Sequence, residues 1–201
     1  MDIANPLKDS HMTRKICIIF GIFAIGLYIL TFSNPILGQS SSSFCSESVI
    51  PSEMLKQVKS KFPGWRIKTV EDLEPNHQIM WRENKFLDCP GIVKGNFQGT
   101  PNLGFGIMLI QNLHEGKGFK VLVMTQPGRN AKPKLTVLRD EKDQDPERFV
   151  IYQAPKGNYS DPENKEKINI QYDGIYLEDL EMGSTLFFWK DKHFEKWVVV
   201  R

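Results

Sequence analysis

Catalytic signatures are what this 201-residue chain lacks most plainly. It has no G-x-S-x-G elbow, no phosphate-binding glycine loop ending in Lys-Ser or Lys-Thr, no H-E-x-x-H and no C-x-x-C. Nucleophile-elbow, P-loop, zincin and dithiol chemistry therefore have no footing in it. Charge of one sign is also missing. The 26 basic and 24 acidic side chains leave a net +2, and without a basic field nucleic acid is not an expected partner. Histidine is scarce, and His11, His77, His114 and His193 are widely separated, so no metal site and no cofactor are expected. No internal repeat is present. What remains is ordinary globular composition, 40% hydrophobic and 25% charged, enough for one buried core.

The one long apolar run covers residues 16–32, preceded by Arg14 and Lys15 and followed by Pro35, Gly38 and a serine-rich stretch. A basic flank, an apolar core, a helix breaker and a small residue form the layout of a secretory leader. Cleavage is expected after Gly38 or within residues 40–43, so that the mature chain begins between Gln39 and Phe44. The alternative is an uncleaved anchor, since seventeen apolar residues sit at the lower limit for crossing a bilayer. Membrane contact is expected only through residues 16–32, and only if they are retained. Met12 would also make a conventional start, leaving residues 1–11 as an upstream extension. The expected organisation is a leader at 1–38, a serine-rich linker at 39–48 and a single globular domain at 49–201.

Loss of the leader would remove Cys17 and leave Cys45 and Cys89. In an oxidising compartment an even pair reads as one disulfide, with two free thiols as the alternative.

Pro51 can open a helix that carries Met54, Leu55, Val58 and Phe62 on one face, and Pro63-Gly64 ends it. A second helical stretch is expected over residues 70–82, weakened by Pro75. From about residue 91 the apolar period falls to two. Residues 105–110 and 119–123 pair as a hairpin, and further strands are expected near 135–137 and 149–152. Ile168, Ile170 and Tyr172 then alternate up to Asp173-Gly174, a strong hairpin signal. Residues 186–189 and 194–200 flank a turn at 190–192 as a last hairpin. Segments 140–148 and 156–167, charged and proline-containing, read as exposed loops. The expected class is α+β: one or two N-terminal helices packed on a mostly antiparallel, meandering sheet of six to eight strands.

In the last hairpin Trp189, Lys192 and Trp197 lie close in sequence, a candidate binding strip because exposed aromatics favour interfaces. Strand alternation offers the plainer account, in which some aromatics enter the core while lysines border the turn. Asn158-Tyr159-Ser160 is a glycosylation sequon, meaningful in a eukaryotic source.

Residues 89–110, CPGIVKGNFQGTPNLGFGIMLI, resemble the pattern P-G-hydrophobic-x-x-G-D-F-D-G-[DN]-G-x-x-D-[YF]-A-x-L-L of small exported bacterial proteins. Their strand-loop-strand is similar to the FG-GAP calcium-loop blade of integrin-like propellers. The resemblance continues through residues 119–128, Asp173-Gly174-Ile175 and residues 184–197, covering about 62–200. It implies a metal-type loop, but Asn96, Gln98, Thr100 and Gly104 stand where that family carries acids. Neutral oxygens alone hold calcium weakly. The expectation is a turn kept as structure, with Phe97 and Phe105 directed to the core and no ion.

The expected function is an exported, non-enzymatic interaction protein of the periplasm or cell envelope, binding a protein or envelope component; an inhibitor or immunity-type factor is one form of it. The alternative is a secreted hydrolase using acids such as Asp88, Asp173 or Glu178. Two carboxylates in one pocket would favour the hydrolase, and an exposed apolar patch without them the binding module.

Overall fold

The computed structural model describes residues 45–83, 89–111, 117–128, 131–161, 163 and 165–200, all within one unit, Gln39–Arg201. The leader lies outside them, as do Asp88, His11 and His114. No helix among the described residues is long and apolar enough to cross a membrane.

Helix α1 (Ser52–Lys61) begins directly after Pro51 and buries Met54 and Val58, which the i, i+4 spacing sets on one face. With Cys45 and Ile50 they cover Ile67, Ile92, Phe105, Ile107, Leu109, Leu122 and Met124. These belong to a five-stranded antiparallel sheet of β1 (Trp65–Ile67), β2 (Ile92–Gly95), β3 (Gly104–Gln111), β4 (Phe119–Thr125) and β5 (Lys134–Glu141). Strand β3 is central and pairs β4 with Ile107 opposite Leu122. On its other side it pairs both β1 and β2. Its unbroken apolar run follows from burial on both faces. Odd positions Phe105, Ile107 and Leu109 meet the helix, and even positions Met108 and Ile110 meet a second sheet.

That second sheet is β6 (Phe149–Ala154), β9 (Gly174–Asp179), β10 (Gly183–Lys190) and β11 (His193–Val200), in the order β11-β10-β9-β6. Its inner residues Phe149, Ile151, Ile175, Leu177 and Phe187 close on Met108, Ile110, Phe119, Val121 and Val123. Two antiparallel sheets thus share one apolar layer. The outer face of the second sheet has two covers. The hairpin of β7 (Gly157–Ser160) and β8 (Lys167–Ile170) packs Tyr159, Ile168 and Ile170 on Leu186, Phe188 and Trp197. The 3-10 turn Val70–Asp72 and helix α2 (Pro75–Glu83) pack Val70, Leu73 and Trp81 on Val150, Tyr152 and Leu180.

The fold is α+β with mostly antiparallel sheets, helices preceding most of the strands. Among the described residues eleven strands in three sheets exceed the six to eight of a single meander, because β1, β2 and β7, of three or four residues each, are too short to show a period. Pro75 does not interrupt the second helix but occupies its first position, where a missing N–H costs nothing. The segment 156–167 is not wholly loop, since it contains β7, and the sequon residue Asn158 lies within that strand. Asp173-Gly174 is not a hairpin turn either: β8 pairs β7, while β9 pairs β6 and β10. Gly174 serves close approach instead, because a Cβ there would meet Leu186 Cδ1 and the Phe187 carbonyl oxygen at 2.8 Å.

Candidate functional site

Cys45 and Cys89 stand at disulfide distance, their Cα atoms 5.1 Å apart. The pair ties the chain ahead of α1 to the start of β2.

The loop between β2 and β3 keeps its turn without acids of its own. Phe97 and Phe105 are both buried, though on opposite sides of the first sheet. Gly99 reverses the chain at φ +68° against the ring of Tyr172. Thr100 Oγ1 donates to the Asn102 carbonyl at 2.9 Å, and Asn102 Nδ2 to that of Gln126 at 3.3 Å. The carboxylate that serves this loop comes from elsewhere. Asp173 accepts from the Asn96 amide at 2.8 Å and the Lys156 amide at 3.3 Å, and its own N–H donates to the Asn96 carbonyl at 3.0 Å. Both its oxygens face amide donors, an arrangement that staples strands.

Of the acids considered for hydrolysis, Asp173 and Glu178 lie among the described residues, and their hydrogen bonds run to different partners. Glu178, buried on the outer face of β9, accepts from the Tyr152 hydroxyl. Tyr176 lies between Tyr152 and Tyr159, its ring tilted to the first and edge-on to the second, and burial, with Tyr159 and Glu178 nearby, pushes its hydroxyl up to about 12. Asp173 instead serves the β2–β3 loop, so the two carboxylates have different surroundings.

Trp189, Lys192 and Trp197 do not form one strip. Trp189 pairs across the hairpin with Phe194 and Leu186 with Trp197, which sets the two tryptophans on opposite faces. Trp189 packs edge-on to Phe194 at 5.0 Å, while Trp197 is buried and donates to Glu166 at 3.2 Å. Lys192 is exposed in the turn with φ +68°.

Two features were not anticipated from sequence. The first is Lys68, fully buried, with Nζ donating to the carbonyls of Asp72 at 3.2 Å and Pro146 at 2.5 Å. Burial lowers its ammonium to about 8, against the opposing pull of Asp72 and Glu147. Beside it Asp72 is paired with Arg66 and accepts from the Thr69 amide. Burial alone would raise that carboxyl, but Arg66 and Thr69 hold it below its ordinary value. Lys68 thus pins β1 to the turn before β6.

The second lies where α2 meets the β9–β10 turn. Arg148 bridges Asp179 at 3.1 Å and Glu181 at 3.0 Å. An open cleft of about 320 Å³ runs from Arg148 and Arg139 past Met182, Ser184 and Val198. Met182 and Val198 are 64% and 52% exposed, and Ile79 and Met80 on α2 are exposed as well. On the same corner Glu74, His77 and Glu181 bring one ligand atom each within 4.8 Å of one another. The spacing Glu74, His77 is visible in the sequence as i, i+3 on a helix, but Glu181, more than a hundred residues on, carries no local signal.

No family model, curated protein or solved structure matches this chain.

Proposed function

We propose that the protein is exported and works by binding, as a non-enzymatic interaction module of the periplasm or cell envelope. The observation that carries this reading is the open cleft beside the β9–β10 turn, where Met182 and Val198 leave apolar surface in water. Large side chains in such exposure beside one another favour a partner over solvent. The cleft holds a single acid, Asp179, already paired with Arg148. The partner it suits is an apolar segment of another protein. Support for export comes from the leader-like residues 14–38 and from the Cys45–Cys89 pair. The β2–β3 loop supports a kinship with FG-GAP-like exported proteins through its turn, not through ion binding.

A photo-crosslinking residue at position 182, in the native envelope fraction, tests the reading. One discrete adduct is expected from position 182 and none from position 103, an exposed leucine away from the cleft. No adduct at 182, or equal adducts at both positions, would overturn it. N-terminal sequencing of the exported material checks export, with a start between residues 39 and 44 expected.

A further inference from the structure

We propose that Glu74, His77 and Glu181 form a binding site for one zinc ion beside the cleft, next to the Arg148 that lines it. Ligand type is the first argument. One imidazole nitrogen and two carboxylates are ligands that zinc accepts, and three protein ligands leave a position open to water or an incoming group. The three ligand atoms lie within 4.8 Å of one another. A tetrahedral site with ligand distances of about 2.1 Å needs them about 3.4 Å apart, so a closure of little more than an ångström completes it.

The second argument is independent of the acids. His77 is 8% exposed, and its Nδ1 is buried without a hydrogen-bond partner. A buried polar atom left unpaired carries a desolvation cost that a ligand removes. His77 is held by the helix rather than by polar contacts, with Trp81 one turn on packed against Val150 and Leu180.

The main chain of each glutamate has its own anchor. The backbone of Glu74 is fixed at the start of α2, where its carbonyl accepts the Gln78 amide at 2.9 Å and its amide donates to the Glu147 carbonyl at 3.4 Å. Glu181 sits in the β9–β10 turn, its amide donating to Asp179 at 3.1 Å. Arg148 is the competing cation, paired with Glu181 at 3.0 Å. Since Arg148 also holds Asp179 at 3.1 Å, Glu181 can turn to a metal without leaving the guanidinium unpaired. The site joins α2 to the β9–β10 turn, two elements otherwise held by the apolar contacts of Trp81 and Leu180.

Competition of the full-length protein against a chromophoric zinc chelator tests this. One zinc ion per chain is expected, with affinity at least tenfold weaker in His77→Ala and several-fold weaker in Glu181→Gln. Glu181 is exposed in a turn, so Glu181→Gln folds even if the buried histidine does not tolerate truncation. Removal of His193, exposed in the last hairpin beside the Asp191 carbonyl at 3.2 Å and Glu195 at 3.6 Å, leaves the affinity unchanged. Zinc also raises the melting temperature of the wild type, reversibly with EDTA, and does so less in Glu181→Gln. Equal zinc affinity in wild type, His77→Ala and Glu181→Gln would assign the metal to other histidines, and no binding at all would leave His77 Nδ1 to a buried water. Either result overturns the site.

Discussion

At the scale of the residue, Lys68 shows how far a buried charge reaches into solution behaviour. Its ammonium titrates near pH 8 in the folded chain, against an ordinary value of 10.5. Below pH 8 both folded and unfolded chains carry the proton, and the full cost of burying the charge is present. Between pH 8 and about 10 only the unfolded chain still holds it, so this group makes stability rise with pH. Above that window the raised tyrosines act in the opposite sense, because the unfolded chain loses their protons first. Urea denaturation of the wild type and Lys68→Met from pH 7.5 to 10 isolates the effect. The difference between them is expected to change by about 2 kcal/mol in favour of the wild type across that range. A pH-independent difference would show that Lys68 is not buried as a cation.

At the scale of the element, the chemistry that was legible in sequence is the chemistry that acts locally. Helix α1 follows from Met54 and Val58 at i, i+4 behind Pro51, and the β3–β4 and β10–β11 hairpins from apolar runs on either side of polar turns. What escaped was decided by tertiary partners. Asp173-Gly174 has the composition of a hairpin turn, yet the aspartate is spent on the Asn96 and Lys156 amides and the glycine on the approach of β10. Trp189 and Trp197 are neighbours in sequence but face apart across their hairpin, and only the register of β10 on β11 reveals it. The site at Glu74, His77 and Glu181 was illegible for the same reason, since a turn far along the chain supplies its third member.

Two predictions belong to elements. Millimolar calcium is expected to leave the melting temperature unchanged, because the β2–β3 loop has no carboxylate and that of Asp173 is engaged by amides. A chelator-reversible rise would show that neutral oxygens suffice there. The Cys45–Cys89 pair closes a chain separation of 44 residues, so replacing both cysteines by alanine should lower unfolding free energy by up to about 4 kcal/mol on the chain-entropy model. Identical urea midpoints for the oxidised wild type and the double variant would mean that the cross-link contributes nothing to stability.

At the scale of the molecule, stability depends on the layer shared by the two large sheets. The sheets approach closely at Gly106 on β3, against the side chain of Ile175 from β9; a Cβ at Gly106 would lie 2.8 Å from Ile175 Cδ1 and 2.4 Å from Val93 Cγ1. Ile175 is fully buried, so Ile175→Ala removes its methyl groups and leaves a cavity, costing about 2–5 kcal/mol. Gly106→Ala overpacks the same point and costs about 1–3 kcal/mol. The two changes share one space, so the double variant should be destabilised by less than their sum, because loss of the Ile175 side chain relieves one of the two clashes. Unfolding followed by circular dichroism and by tryptophan fluorescence tests the shared layer as well as the energy. Trp65 reports the first sheet and Trp189 and Trp197 the second. Both probes are expected to follow one transition in every variant, since neither sheet keeps its inner face covered when the other is lost. Strict additivity, or separate transitions by the two probes, would mean that the sheets are stable independently and that Ile175 does not couple them.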